Sequence, residues 1–415
     1  MGLGRYRLFY LLYFIGMGTY QPFMNLYFKR LGLSGSQLGL LASLTPLAVL
    51  VVPPFVGAWV DLHSNKRSAL LSVLVGSVLV FSAYFGVQQF ASILLVTLLF
   101  ALINSPLVPL ADAATLDQLE RSGGDYSRVR VFGSLGFAVG AILSGRVLQQ
   151  AGPASFLWVY VGALSAATLA ASTWPRYRTT PTVAVRRANA PPPPADSNGA
   201  AKPTSAGEAD PSKPVGLLTA WKHVLGQRPV LLLLIALFIS RLSAVVYYNF
   251  FSIYLDERGI AEGAIGLAWA LGIGSEVVVM NLIPAMVRRW GSRRVILISF
   301  VASVIRWTAY AHISGWMIYA NQLLHGFTFA CFWVGSVAYV NEVTEPRWRA
   351  SSQSILAAVS NGLAPGVGVL LAGELYQRLG RVTPLFDWAG AVAAIALVFF
   401  ATMLAHEARK AKACA

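Results

Sequence analysis

Long apolar stretches, broken at short intervals by polar turns, run along almost the whole of this chain and set its architecture. About 20 apolar residues suffice to cross a bilayer. Stretches of that kind fall near 8–28, 38–60, 68–87, 91–116, 129–150, 154–174, 229–254, 263–287, 294–312, 315–341, 350–375 and 384–405. The pattern predicts an all-α membrane protein with about twelve transmembrane helices. The first stretch follows the basic residues Arg5 and Arg7 as a signal peptide would, but it ends in Leu26-Tyr27-Phe28-Lys29 without a small-residue cleavage site, so it is expected to stay as a helix.

One region breaks the rhythm. Residues 175–221 carry PPPP at 191–194, scattered Ser, Gly, Ala and Asn, and charges of both signs. Such a segment cannot bury enough apolar surface to fold and reads as a disordered linker. It divides the chain into an N-terminal half, 1–174, and a C-terminal half, 222–406, of six spans each, followed by a tail, 407–415.

Composition sharpens this picture. Of 415 residues, 56% are hydrophobic and only 12% charged, yet the net charge is +15. On a soluble domain such a charge would suggest nucleic acid. Here most of the Lys and Arg fall on alternate connecting segments, with Arg130, Arg241 and Arg306 inside spans. This is the positive-inside asymmetry. It places both termini in the cytoplasm and leaves the lipid bilayer and a small solute, not nucleic acid, as partners. External loops of low charge argue against a large soluble partner, and a monomer is expected. Cys331 lies in a span and Cys414 in the tail, so no disulfide framework is possible. His312 and His325 have no His or Cys partner at metal-ligand spacing, and no Ser-His-Asp arrangement is visible. A membrane-embedded enzyme is therefore disfavoured, and no cofactor beyond a proton gradient is expected.

The candidate chemistry lies in charges at membrane depth. A carboxylate or guanidinium there costs at least a few kcal/mol unless it is paired or faces a wet cavity. Asp112 sits well inside one apolar arm and Arg130 opens the next, with the polar turn Glu120, Arg121, Gly123, Gly124, Asp125 between them. The hairpin predicts that the two are neighbours, either as a structural ion pair or as part of a ligand site. On the second arm Arg130, Ser134, Phe137 and Ala141 share a face, while Gly136 and Gly140 offer a close helix contact. In the first span Tyr13, Met17 and Tyr20 fall on one face with Gln21 beside them, suited to cavity lining or to packing. The second half carries Arg241 with Tyr248 and Asn249, then Trp269, Gly272, Glu276 and Met280 at helical spacing. Beyond these come Arg306, a stripe of Gln322, His325 and Phe329, and finally Asn361. A shared central cavity would answer their charges.

The second span ends in GAWVDLHSNKR, 57–67. Gly57 would permit close helix approach, Asp61 would meet a neighbouring helix end, and Lys66 and Arg67 would face the lipid surface. This run resembles the loop signature of the major facilitator superfamily, with Leu62 and Ser64 departing from it. PAMVRRWGSRR at 284–294 is similar to a second copy in which Arg288 takes the place of the acid. Pro109-x-x-Asp112 and Arg130-x-x-Gly-x-x-Gly resemble the corresponding stretches of lactose permease and of the nucleoside and phenylpropionate permeases. The resemblance implies two six-helix halves related as parallel repeats, a site between them near the midplane, and conformational gating by Gly57, Asp61, Lys66 and Arg67. It also implies that Asp112 and Arg130 help form the substrate site and that Glu276, Arg306 and His325 match the family's acid, arginine and histidine. Thr328 and Phe137 stand where lactose permease has a glutamate and a tryptophan, and Ala357 or a neighbour stands near its lysine.

These readings converge on a secondary transporter in a bacterial inner membrane, with Glu276, Asp112 and His325 as candidates for proton coupling. The bases Arg130, Arg241 and Arg306 outnumber the acids Asp112 and Glu276, which suits an aromatic or other organic carboxylate taken up by symport. Tyr20, Phe137, Tyr248, Trp269 and Phe329 would suit a ring. A neutral glycoside or nucleoside is the nearest alternative. Drug efflux by proton antiport stands further off, because Gly136 to Gly140 lacks proline. A channel or non-transporting receptor on the same fold remains open.

Overall fold

In a computed structural model, residues 3–63, 65–175 and 217–413 are described. Lipid cannot hydrogen-bond a peptide group, so each span must satisfy its own backbone, and helices do so. Ten stretches among the described residues are long and apolar enough to cross a membrane. One of them, Glu262–His312, leaves helical geometry at Gly291 (φ 80°) and so forms two spans. Another helix, Leu3–Arg30, packs among them.

The spans are α1 (Leu3–Arg30), α2 (Gly35–His63), α3 (Lys66–Ser82), α4 (Phe90–Ser122), α5 (Ser127–Ala151) and α6 (Ser155–Ser172) in the first half. The second half has α7 (Arg228–Asp256), α8 (262–290), α9 (292–312), α10 (Met317–Val343), α11 (Pro346–Leu379) and α12 (Thr383–Ala413). The expected all-α fold of two six-helix halves is thus what the chain adopts. A short helix, Leu217–Gly226, precedes α7, and its His223 stacks on Trp348 at the start of α11 at 4.3 Å. The rest of the linker, 176–216, lies outside the described residues. Helix α12 continues past residue 406 through Ala413, into the segment expected to be a tail.

Irregular backbone collects in three spans. Helix α4 breaks at Ser105–Pro106, as the prolines there predict. Helix α10 tightens to a 3₁₀ turn at Gln322–Leu324 and then widens to a π turn at Phe327–Cys331. Helix α11 has a π turn at Val359–Leu363. Such turns re-aim side chains and often sit at functional sites.

Glycine decides the packing inside the first half. A Cβ on Gly136 or Gly140 would fall on the Leu11 or Ile15 carbonyl of α1, so α5 and α1 touch backbone to backbone, as the small-residue spacing predicts. Gly57 behaves otherwise. Nothing lies within 4 Å of the place its Cβ would occupy, so it brings no helix close.

The halves meet through α2 with α11, α5 with α8, and α1 with α7. These contacts gather at one end. There Arg30 Nη2 reaches Asp256 Oδ1 at 2.7 Å and Glu262 Oε1 at 2.8 Å, and Lys29 Nζ reaches Asp256 Oδ2 at 3.1 Å. Ser36 Oγ donates to Glu374 Oε2 and the Gly35 amide to Gln377 Oε1, each at 2.7 Å. Gly39 lies against Gly373, Gly145 against the Glu262 carbonyl, and Gly266 against the Ala141 carbonyl, with no room for a side chain at any of them.

Candidate functional site

Below that closed end, the halves enclose a cavity of about 860 Å³. It runs from Asn25 and Asn249, where the Asn25 amide donates to the Asn249 carbonyl at 3.1 Å, to Tyr126 at the start of α5. Both halves line it.

Among the residues expected at a substrate site, Tyr20, Arg130, Phe137, Arg241, Tyr248, Asn249, Trp269, His325, Phe329 and Asn361 line this cavity, together with Glu276. The π turns of α10 and α11 present Phe329 and Asn361 to it. Phe137 and Trp269 face each other across the halves, ring centroids 6.2 Å apart, and Trp269 Nε1 donates to Ser252 Oγ at 2.9 Å. Tyr13, by contrast, is buried in packing, while Met17 and Gln21 from the same helix reach the cavity.

Two expected site residues lie off the cavity lining. Asp112 accepts a hydrogen bond from the Tyr10 hydroxyl at 2.5 Å, and Arg306 is wholly buried. The expected Asp112–Arg130 pair does not form: no oxygen of Asp112 lies within 4 Å of the guanidinium. The Tyr10 hydroxyl takes the place of the pairing partner. Arg130 instead lies over the Phe14 ring at 4.2 Å and the Tyr10 ring at 5.7 Å. At the hairpin turn, hydrogen bonds from Ser127 hold the Asp125 carboxyl below the ordinary carboxylate range.

Behind the opposite wall is a buried polar relay. Arg306 Nη1 bonds His325 Nδ1 and Thr328 Oγ1, each at 3.0 Å, and Nη2 bonds Gln322 Oε1 at 2.9 Å. Its guanidinium lies over the Tyr247 ring at 4.1 Å, and the Tyr247 hydroxyl donates to the same Gln322 oxygen at 3.1 Å. An arginine can only donate. His325 Nδ1 must therefore accept, which leaves the imidazole proton on Nε2, 3.5 Å from Glu276 Oε2. Arg306 and Glu276 balance one another through a neutral ring. The 3₁₀ turn ends just before His325 and the π turn begins just after it.

Arg241 is also free of acids. Its Nε donates to the Ser360 carbonyl at 3.0 Å, and its guanidinium lies 5.4 Å from the Tyr248 and Phe332 rings. Among the described residues, no carboxylate lies within 4 Å of Arg130 or Arg241. The sequence did not single out Tyr10, Phe14, Tyr126, Tyr247 or Trp333. Tyr10 lies one turn before Phe14 on the first apolar run, and that spacing was the available signal.

At the α2–α3 turn, the structure corrects two further expectations. Lys66 binds Asp117 of α4 at 2.7 and 2.9 Å, and Arg67 donates to the Ser172 carbonyl of α6, so both bases tie helices of one half together where contact with the lipid surface was expected. The Asp61 side chain lies outside the described part of the structure.

Three comparisons place this geometry. The chain is 27% identical to the probable 3-phenylpropionic acid transporter of Escherichia coli, covering 90% of each chain, and 26% identical to the maltose permease of Geobacillus stearothermophilus, covering 89% of this chain and 86% of that one. Its fold matches a mutant of the nucleoside transporter NupG with a TM-score of 0.82 at 17% identity, over 97% of this chain and 99% of that one. A family model, the MFS_1 like family, matches residues 3–386. The chain therefore belongs to the MFS_1 like family, a family of major facilitator transporters and not of enzymes.

Proposed function

We propose that this protein imports a small organic solute, preferring an aromatic or other organic carboxylate, together with protons. Its halves, 1–174 and 222–406, would rock about the central cavity, tethered by the linker 175–221. With both termini in the cytoplasm of a bacterial cell, the closed end faces outward and the cavity is accessible from inside.

One observation carries the carboxylate reading. Arg130 and Arg241 border the cavity without an acid in reach, while the one acid lining it, Glu276, is engaged by His325. The cavity wall carries surplus positive charge. A planar carboxylate can take two parallel hydrogen bonds from a guanidinium, and the Phe137, Trp269 and Tyr248 rings suit an aromatic body.

The same geometry favours Glu276 as the proton carrier. Asp112 is held by Tyr10 off the cavity lining, and Arg306 occupies the ring nitrogen through which His325 would take a second proton. Protonating Glu276 would leave Arg306 without its counter-charge, and a bound anion would restore the balance. Proton and anion then favour each other's binding, the linkage that symport requires.

The maltose permease relative supports a second reading, a neutral glycoside. Solute-driven proton uptake into proteoliposomes separates the two. Aromatic carboxylates, glycosides and nucleosides are tested against the wild type, Glu276→Gln and Arg130→Ala. A carboxylate that alkalinises the outside with wild type alone supports the proposal. A glycoside or nucleoside doing so replaces it, and a Glu276→Gln variant that still moves protons removes Glu276 from the carrier role.

A further inference from the structure

A second hollow, of about 310 Å³, lies away from the central cavity where α7 begins and α12 ends. Its floor is apolar, built from Pro229 and Leu232 of α7 and Phe399 and Met403 of α12, and its rim carries Arg228, His406 and Lys410. The one acid in the lining, Glu407, is already engaged. Its Oε2 faces Arg293 Nε at 3.2 Å, and its Oε1 accepts the Tyr339 hydroxyl at 3.1 Å. Among the described residues, no carboxylate lies within 4 Å of Arg228, His406 or Lys410.

Two further features point the same way. Gln227, which caps the first turn of α7, makes no side-chain cap hydrogen bond, so the positive end of a 29-residue helix adds to the rim. Helix α7 begins and helix α12 ends here, and exposed Trp221 and Trp290 lie at the same end of the molecule, the residue type favoured at head-group depth.

We propose that this hollow binds an anionic phospholipid, its phosphate against Arg228 and Lys410 and its first acyl carbons on Leu232, Phe399 and Met403. A soluble phosphate would use the cations and leave the apolar floor uncovered; a phospholipid uses both. A bound lipid would fasten the first helix of the C-terminal half to the last. This site is independent of the solute carried in the central cavity.

The test is native mass spectrometry of the full chain, delipidated in detergent and titrated with phosphatidylglycerol, phosphatidylethanolamine or glycerol 3-phosphate. Wild type is compared with Arg228→Gln/Lys410→Gln, with Arg228→Lys, and with Arg288→Gln/Arg289→Gln at the end of α8 as a charge-matched control. The expected result is retention of phosphatidylglycerol by wild type, Arg228→Lys and the control, with a loss of about tenfold or more in the first double variant. Equal retention of both lipids, equal loss in the control, or binding of glycerol 3-phosphate as tight as the lipid would each overturn the proposal. So would an empty wild type, the outcome expected if linker residues fill the hollow. If the double variant fails to fold, Phe399→Asp replaces it, and undiminished phosphatidylglycerol binding there counts against the site equally.

Discussion

Arg306 donates to His325 Nδ1 from 3.0 Å, and this contact fixes which nitrogen of the ring can face Glu276. A buried cation and a carboxylate on the cavity wall are thereby joined without touching. The guanidinium is wholly buried, while the carboxylate lies on the cavity lining.

Removing the guanidinium should therefore cost stability before it costs selectivity. Arg306→Leu leaves the Thr328 oxygen and His325 Nδ1 without their donor and Gln322 Oε1 with the Tyr247 hydroxyl alone, a loss of roughly 2–4 kcal/mol for buried groups left unsatisfied. The melting temperature in detergent should fall by several degrees. Arg306→Lys, which restores one donor of the fork, should recover part of that loss. An unchanged melting temperature in Arg306→Leu would show that the relay is not holding α9 to α10.

Arg241 contributes to the cavity wall in a different way, since its Nε alone is bonded to the backbone. If its remaining nitrogens meet a substrate carboxylate, Arg241→Gln should raise KM for an anionic solute by roughly 10- to 100-fold, the value of a charged hydrogen bond. Transport of a neutral solute should change far less. Equal losses for both would place Arg241 in the scaffold.

The glycines give a stability test free of any assumption about substrate. Gly140→Val must push α5 off α1, because its Cβ would meet the Ile15 carbonyl, and the variant should be poorly expressed or melt well below wild type. Gly57→Ala meets nothing within 4 Å and should fold as wild type does. If the two variants melt together, the α1–α5 contact has been misassigned.

At the closed end, Ser36 and Glu374 are joined across the halves at 2.7 Å. A Ser36→Cys/Glu374→Cys variant, bridged by a short thiol cross-linker, should lose transport and regain it when the bridge is cleaved. Solute binding from the cavity side should persist while transport is blocked. Transport that continues through the cross-link would mean this end does not open during the cycle.

The spans were legible because apolar length and helical period report directly on a bilayer. Gly136 and Gly140 also announced their contact, since a small residue every fourth position has few other uses in a membrane helix. The sequence was misleading where a charge had several partners within reach. Asp112 and Arg130 have opposite signs and similar depth, yet the Tyr10 hydroxyl reaches the carboxylate and the Phe14 ring holds the guanidinium. Neither competitor carries a charge, so charge patterning could not reveal them. Lys66 posed the same difficulty, because its acid, Asp117, lies 51 residues further on, in α4, and not in its own loop motif. The 3₁₀ and π turns around His325 left no trace in residue type.

The glycine faces at the closed end carry a consequence for speed. Where Gly39 meets Gly373 and Gly266 meets the Ala141 carbonyl, backbone lies against backbone with no room for a side chain between them. Surfaces of that kind can part and rejoin without any rotamer having to be withdrawn first. Resistance to opening then falls on the polar links across the seam, the ion pairs around Arg30 and Asp256 and the hydrogen bonds from Ser36 and the Gly35 amide. Such a joint behaves as a latch on a smooth seam: its grip lies in a few polar contacts, and the fit of its faces is the same at every closing.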